Sequence, residues 1–167
     1  MPRQNIFWRA PSILRSLHVP VSFRAMIREF NISDLDIIMA IWLDENIKSH
    51  SFIPPQYWYG NFDYVKSVLP NADIYVYADG DNVTGFIGLN GSYIEGIFVK
   101  SGSQHKGIGT DLLNCAKQKY DELTLSVYSK NMKAVRFYLK NGFEKIDENI
   151  DLNTSETEST MTWRKEK

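Results

Sequence analysis

The chain has 167 residues, a formal net charge of −1, and 43% hydrophobic against 23% charged residues. This length suits one domain with its own hydrophobic core, and the absence of a basic stripe argues against nucleic acid or an anionic membrane as the main partner. The one cysteine, Cys115, excludes an internal disulfide framework, and together with three scattered histidines it predicts no metal site.

The first 25 residues differ in composition from the rest, with four arginines, three prolines and no acidic residue. Such a composition is typical of a targeting peptide, or of an extension that is non-native or arises from an upstream start. Because "MIREF" from Met26 predicts the opening strand of a domain, we expect an extension over 1–25 and one domain over 26–167. No stretch reaches the ~20 apolar residues of a membrane span.

The first half of the domain predicts one strand and two helices. A strand is expected over 22–29. The segment "NISDLDIIMAIWLDEN" has apolar residues at helical spacing behind Ser33, which is the predicted N-cap. The aromatic, proline-bearing "SHSFIPPQYWYGNF" predicts a structured loop, followed by a second helix at about 62–69.

Three strands are then expected to form an antiparallel meander. "DIYVYA" and "VTGFIGLN" are joined by the turn sequence "DGDN", and Asn90-Gly91 predicts a two-residue hairpin into "SYIEGIFV". Gly96, in the middle of the third strand, predicts a bulge that bends the strand and frees backbone groups for a ligand. An amphipathic helix over 110–120 leads to "LTLSVY", which this crossover places parallel to the strand at 93–99.

The last third predicts a short helix and two closing strands. "NMKAVRFYLKNG" has Asn131 as its N-cap and Gly142 as the residue that ends the helix. "FEKI" and "TMTWRK" are the predicted strands, around an acidic connection (147–158) that either attracts cationic acceptors or is only a solvated loop. The whole order predicts a mixed α/β fold with a largely antiparallel sheet of six to seven strands and flanking helices.

The segment "QHKGIGTDLL" (104–113) joins a strand to a helix through two glycines. It matches neither the Walker loop nor the dinucleotide fingerprint, because Leu112 stands where the fingerprint needs its third glycine. Glycines at a helix N-terminus let backbone N–H groups approach an anion, and the helix dipole favours negative charge there. The loop therefore predicts a pyrophosphate site with His105 and Lys106 as rim donors; a turn needed only for tight packing is the alternative.

Two signature regions together resemble those of the GNAT family, the acetyl-coenzyme A-dependent N-acetyltransferases. They are Q-x-x-G-x-G followed by "TDLL", and then "VYSKNMKAVRFYLKNGF". The resemblance covers nearly all of 26–163, and "HSFIPPQYW" and "IEGIFV" make the chain look similar to small bacterial members. It implies a parallel pair of neighbouring strands that splay apart, and acetyl-coenzyme A as the cosubstrate.

The resemblance also implies which residues bind this cosubstrate. The loop 104–110 would hold the pyrophosphate, and the backbone of Phe98 and Val99 would pair with the pantetheine arm. Helix residues would touch the cosubstrate (Asn131), leave room for it (Ala134) and face its sulfur (Tyr138). The full predicted set is Phe98, Val99, Gln104, His105, Lys106, Gly107, Ile108, Gly109, Thr110, Asn131, Ala134 and Tyr138.

Tyr138 is the predicted general acid, because transfer to an amine leaves a thiolate that needs a proton, and a tyrosine of pKa ~10 can supply one. The alternative reading of Tyr138 is a half-buried aromatic residue. Many relatives have a glutamate where this chain has Ser126, so Glu95 on the central strand becomes the candidate base, acting through water or only lining the pocket. Cys115 fits a small buried hydrophobe better than a nucleophile.

The acceptor site is predicted to involve His50, Phe52, Tyr93 and Ser126. His50 lies in the loop that borders the acceptor site in these relatives, as an acceptor contact, a proton relay or a structural histidine. The predicted function is transfer of acetyl from acetyl-coenzyme A to a primary amine, with a protein lysine or N-terminus favoured. Small amines as acceptors, or a non-catalytic acyl-coenzyme A sensor, are the alternatives. We expect a cytoplasmic monomer or homodimer.

Overall fold

The computed structural model describes residues 25–166, and its strands form one sheet. The strands are β1 (Met26–Glu29), β2 (Asp73–Asp79), β3 (Asn82–Asn90), β4 (Tyr93–Val99), β5 (Glu122–Tyr128), β6 (Glu144–Ile150) and β7 (Thr157–Arg164). Their order across the sheet is β1-β2-β3-β4-β5-β7-β6. All neighbours are antiparallel except β4 and β5, which are parallel. The predicted mixed α/β fold is therefore confirmed.

Helices cover both faces of this sheet. They are α1 (Leu35–Ser49), α2 (Pro55–Val68), α3 (Ile108–Lys119) and α4 (Met132–Lys140). One core cluster joins α1 to the inward side chains of β2 and β3, such as Val76 and Phe86. The other joins α3 and α4 to β5, through residues such as Leu112 and Leu125. None of the helices in the described part of the chain has the length and apolar composition needed to span a bilayer.

Several local predictions are confirmed because they depend on short-range geometry. Gly91 adopts a φ of 57° in the turn between β3 and β4, and Gly142 adopts 83° where α4 ends. Glycine adopts this left-handed backbone conformation readily, because it has no Cβ to clash with the neighbouring carbonyl. Asn131 caps α4 by accepting a hydrogen bond from the Ala134 amide. The predicted strand at 22–29 is seen as β1, while its first residues and nearly all of the predicted extension lie outside the described residues.

The predicted N-cap Ser33 is wrong. Asn31 caps a short 3-10 turn before α1 instead, accepting from the Ser33 amide, while Asp34 accepts from the Asn31 amide to complete a capping box. Asp34 is buried and pairs with Arg28 of β1. The second helix is also longer than predicted, because Pro55 occupies its first turn, where a missing N–H costs nothing.

Half of the acidic connection (147–158) predicted between the last strands is strand. β6 extends to Ile150 and β7 begins at Thr157, so only the short segment between them is a turn. Every residue of β6 is exposed, so no alternation of apolar residues signals the strand. Its backbone pairing with β7, at one edge of the sheet, holds it in place.

The parallel pair β4 and β5 separates after only two register positions, Tyr93 with Thr124 and Ile94 with Leu125. The pairing of β4 with β3 shifts at the same place, where Gly88 faces Gly96 and Leu89 faces Ile94. This leaves Glu95 as the extra residue of a bulge, beside the predicted position Gly96. The two strands therefore open a gap in the middle of the sheet.

Candidate active site

A cleft of about 510 Å³ extends from the N-terminus of α3 along the last residues of β4 to α4. Most of the predicted cofactor-binding residues line this cleft, together with His50 from the end of α1. Those residues are Phe98, Val99, Gln104, His105, Gly107, Ile108, Gly109, Thr110, Asn131, Ala134 and Tyr138. Residues predicted on the strand 93–99, in the loop 104–110, on the helix that begins at Asn131 and in the loop around His50 therefore meet in one cleft.

The segment 104–110, called the anion loop below, leads directly into α3. Gly107 caps the helix with a φ of 84°, and His105 before it also has a positive φ of 62°. The amides of the helix's first three residues precede its first internal hydrogen bond, from Asp111 N–H to the Gly107 carbonyl. The three residues line the cleft, so their amides and the positive end of the helix dipole lie beside it, which suits a phosphate.

Tyr138 is buried on α4 and still lines the cleft. Its ring packs against Phe137 and Phe143, with centroids 5.2 and 5.5 Å away. Burial, helped by nearby Tyr93, raises the pKa of Tyr138 above its ordinary value. The phenol is therefore protonated at neutral pH, which is the form that a proton donor requires.

A chain of hydrogen bonds joins the end of α1 to the start of α4. His50 Nδ1 donates to the Asn46 carbonyl at 3.0 Å, because a carbonyl can only accept. His50 Nε2 then carries the lone pair and accepts from Asn131 Nδ2 at 3.2 Å, while Asn131 Oδ1 accepts from the Ala134 amide. Burial lowers the pKa of His50, although the bond to Asn46 opposes this shift. The ring is neutral, and its basic nitrogen is already occupied.

Aromatic rings surround His50 and form a surface that we call the aromatic wall (His50, Phe52, Trp58 and Tyr128). The His50 ring stacks on Trp58 at 5.2 Å and makes edge contacts with Phe52 at 5.7 Å and Tyr128 at 5.3 Å. Trp58 is buried, and its Nε1 has no hydrogen-bond partner among the described residues. The wall thus fixes the orientation of the histidine that contacts Asn131.

Carboxylates lie beside the aromatic wall, on and between β6 and β7. The Tyr128 hydroxyl donates to Asp151 Oδ2 at 2.7 Å, and Lys130 Nζ pairs with Glu156 Oε2 at 2.8 Å. Glu158 is the register partner of Tyr128 across the β5–β7 pair, so their side chains share a face of the sheet. Burial and the neighbouring Asp151 raise the pKa of the Glu158 carboxyl. This side of the site carries negative charge beside aromatic rings.

Some predicted site residues lie outside the lining of the cleft. Lys106 and Glu95 are exposed, the latter at the β4 bulge. Tyr93 and Ser126 lie half-buried on β4 and β5 near the point of separation, and Phe52 belongs to the aromatic wall. Cys115 lines a different groove, between α3 and the strands β1 and β2, where burial raises the pKa of its thiol. A protonated thiol in that position does not suit a nucleophile in the cleft.

Sequence reasoning did not single out Glu45, which is buried on α1 and lines the cleft. Its position carried a signal, since it follows Ile38 and Ile41 at helical spacing on the buried face. Tyr128 and Trp58 were also missed, and the acidic connection (147–158) was considered for cationic acceptors without being placed beside these rings. Their proximity depends on long-range strand pairing, which no local pattern in the sequence records.

Residues 44–156 match the family model described as an acetyltransferase (GNAT) domain. The chain belongs to the GNAT acetyltransferase family, which confirms the resemblance read from the two signature regions. It is 33% identical over 124 residues to peptidyl-lysine N-acetyltransferase YiaC of Escherichia coli (strain K12), which covers 73% of this chain and 85% of that protein. It is 32% identical over 108 residues to peptidyl-lysine N-acetyltransferase YjaB of the same organism, covering 64% and 74%.

Solved structures agree with this assignment. The apo form of YjaB from Escherichia coli has a TM-score of 0.76 at 27% identity, and the match covers 86% of this chain and 99% of that one. A Bacillus anthracis str. Ames protein, assigned as a streptothricin acetyltransferase, was solved with acetyl coenzyme A. It has a TM-score of 0.52 at 25% identity, and the match covers 57% of this chain and 63% of that one.

Proposed function

We propose that the protein transfers an acetyl group from acetyl-coenzyme A to a primary amine, with a lysine side chain of a protein as the favoured acceptor. The observation that carries this proposal is the continuous cleft between the anion loop and Tyr138. An N-terminal amine of a protein belongs to the same acceptor class. We further propose one domain over 26–167, acting in the cytoplasm as a monomer or homodimer.

The described residues fit acetyl-coenzyme A. The amides at the start of α3 suit its pyrophosphate, and the separated backbones of β4 and β5 offer a strand-like path for its pantetheine arm. Bound there, acetyl-coenzyme A would supply the activated acetyl group as a thioester. Gly109 lines the path without a side chain, and an added Cβ there would meet the Phe137 ring at 3.4 Å, an ordinary contact.

Tyr138 is the proposed general acid for the leaving thiolate. Its raised pKa keeps the proton on the phenol, and its place in the cleft puts it near the end of the proposed pantetheine path. An attacking lysine, with a pKa of ~10.4, must first lose a proton. Glu95 remains the proposed base and is exposed at the bulge, so it would act through water. His50 is less suited, because its free nitrogen accepts from Asn131.

The acceptor side supports a cationic substrate. Aromatic rings beside carboxylates attract an ammonium group, both by cation–π contact and by charge. Lys130 shows this within the chain itself, since its Nζ lies 5.5 Å from the Phe52 centroid while paired with Glu156. The names of the two Escherichia coli relatives, both peptidyl-lysine N-acetyltransferases, support the same choice.

An assay of acetyl-coenzyme A consumption tests this function. The chain is offered lysine-containing peptides, peptides with only a free N-terminus, and small amines such as polyamines and amino acids, and product masses are recorded. We expect turnover with the lysine peptides. Preferred turnover of small amines would support the alternative acceptor class. Tight binding of acetyl-coenzyme A without turnover of any amine would instead indicate a sensor.

A further inference from the structure

A buried carboxylate lies at an anion-binding cleft, where its charge is unfavourable for the proposed ligand. Glu45 is 5% exposed and lines the cleft on the side of the anion loop. A buried carboxylate is costly unless it is fully hydrogen-bonded. Near phosphates it also repels the ligand by ordinary charge–charge interaction. Its presence therefore calls for an explanation other than electrostatic attraction.

The three hydrogen bonds of Glu45 come from Ser101 before the anion loop and from Gln104 at its start, and Lys48 Nζ on the same helix lies 3.6 Å from Oε1. Oε1 accepts from the Ser101 amide at 2.9 Å and from the Ser101 hydroxyl at 2.7 Å, and Oε2 accepts from Gln104 Nε2 at 2.9 Å. Ser101 begins a 3-10 turn whose own residues provide no side-chain cap. The carboxylate of α1 therefore caps that turn from another element.

Gln104, which was predicted to bind the cosubstrate, has its side chain fully engaged within the protein. Nε2 donates both to Glu45 and to the Val99 carbonyl, at 2.8 Å, and Oε1 accepts from Lys133 Nζ at 2.5 Å. These bonds join α1, the end of β4 and α4, three of the elements that line the cleft. The amide can have only one orientation, because both neighbours of its nitrogen are acceptors.

The anchored residues directly precede the strained part of the loop. His105 adopts a φ of 62° and Gly107 a φ of 84°, and the left-handed region is unfavourable for a residue with a side chain such as His105. A loop with such a residue keeps its shape only where the surrounding structure holds it. Glu45 fixes the two positions, Ser101 and Gln104, from which the chain enters this conformation.

We propose that Glu45 is a positioning residue for cosubstrate binding: its carboxylate fixes Ser101 and Gln104, and so holds the anion loop in the shape that presents its amides to the pyrophosphate. This inference rests on the proposed function, because it takes coenzyme A as the ligand of the loop. Glu45 does not touch the ligand in this proposal. Its contribution outweighs the repulsion between its own charge and the phosphates.

Replacing Glu45 by glutamine tests the proposal without changing the volume of the side chain. The glutamine amide can be oriented in two ways. One places its NH₂ group against the Ser101 amide and the other places it against Gln104 Nε2, so in both cases a donor faces a donor. Rotating the Gln104 amide to turn its oxygen towards this NH₂ group would place its nitrogen against Lys133 Nζ, which is also a donor. We expect the Kd of coenzyme A, measured by titration calorimetry, and the KM of acetyl-coenzyme A to rise about tenfold or more. The value of kcat at saturation should stay within about threefold of wild type.

Asp44→Asn is the matched control, because it removes the same charge from the preceding, 71% exposed side chain. Its coenzyme A affinity should equal that of wild type. Electrostatics alone would make coenzyme A bind the Glu45→Gln variant more tightly. Equal or tighter binding by the folded variant overturns the proposal and leaves the proposed function intact. A wild-type chain that binds no coenzyme A overturns both.

Ser101→Ala is a second, milder variant that removes one of the three hydrogen bonds. We expect its coenzyme A affinity to fall severalfold, with an unchanged KM for the amine acceptor. Circular dichroism and the melting temperature of each variant separate this outcome from a general loss of stability. If Glu45→Gln does not fold, Ser101→Ala decides the matter, and wild-type affinity in that variant overturns the proposal.

Discussion

The two regions proposed to bind the substrates, called the anion side and the acceptor side, are built in different ways. The anion side is one continuous segment, 104–110, and what it offers a ligand is backbone geometry at a helix N-terminus. The acceptor side combines residues from three distant parts of the chain: His50 after α1, Tyr128 at the end of β5, and Asp151 between β6 and β7. What it offers is side-chain chemistry.

This difference determines how each side responds to substitution. Backbone amides recognise a phosphate whatever the neighbouring side chains are, provided that the loop keeps its shape. Aromatic rings and carboxylates recognise a cation only through their own identity. The two proposed functions, cosubstrate binding and acceptor selection, should therefore be separable by mutation, whereas the proposed acid Tyr138, which lines the cleft, serves the transfer step that needs both.

Tyr138→Phe should produce the largest effect, because it removes the proposed proton donor of the transfer step. A positioned acid contributes ~10²–10⁴ in rate, so kcat should fall by that factor while the Kd of acetyl-coenzyme A stays nearly constant. The ring and its contacts with Phe137 and Phe143 are kept. Turnover and cosubstrate affinity are measured on the same folded variant, and a kcat within about threefold of wild type would remove Tyr138 from the mechanism.

The pH profile sharpens this test. Because burial raises the pKa of Tyr138 above its ordinary ~10, the phenol stays protonated at pH values below that ordinary value. The loss caused by Tyr138→Phe should then be the same factor at every pH from about 6 to 9. An alkaline limb that is present in wild type and absent in the variant below pH 10 would mean that the phenol titrates more easily than its buried position implies.

Gly109→Asp should disable the anion side alone. The new carboxylate would lie among the amides that suit the pyrophosphate, so coenzyme A affinity should fall by about 100-fold or more. The fold should tolerate the change, since an added Cβ meets the Phe137 ring at 3.4 Å and Val99 Cγ2 at 3.9 Å, both ordinary contacts. Calorimetry measures the affinity, and Gly60→Asp on α2, where a Cβ meets nothing within 4 Å, is the control for added charge. Wild-type affinity in a folded Gly109→Asp variant would place the pyrophosphate elsewhere.

Glu158→Gln should change the acceptor side alone and by a smaller factor. Removing one half-buried carboxylate next to Asp151 weakens the attraction for an ammonium group, so the KM for lysine peptides should rise about three- to tenfold. Coenzyme A affinity should not change. Glu144→Gln, exposed at the start of β6, is the control for loss of charge. An unchanged KM for lysine peptides would exclude Glu158 from acceptor binding.

The same contrast explains how much could be predicted from the sequence. The glycine turn, the Asn131 cap and the hairpin at Gly91 follow local rules, and all three are present in the structure. The acceptor side was predicted less completely. Its carboxylates fall within the acidic connection (147–158), which was expected to attract cationic acceptors or to be a solvated loop, and the neighbouring strand β6 is wholly exposed and shows no apolar period. Glu45 was missed because its partners, Ser101 and Gln104, lie far along the chain.

The smallest expected effect is on the pH dependence of stability. It comes from His50, which links the two sides. Burial lowers the pKa of His50 in the folded state below its ordinary ~6.5, so the unfolded state binds more protons between the two values. The contribution of His50 to the free energy of unfolding is therefore fully present above about pH 6.5 and decreases as the pH falls through that range. A protonated Nε2 would also turn from acceptor to donor and lose the Asn131 contact.

His50→Gln should weaken this dependence, because glutamine does not titrate. Chemical denaturation at pH 7.5 and pH 5.5 measures the difference in unfolding free energy for wild type and variant. The wild type should lose more stability on acidification than His50→Gln. Equal losses in wild type and His50→Gln would mean that other groups dominate acid sensitivity, and that the neutral histidine joins the two sides without making their contact depend on pH.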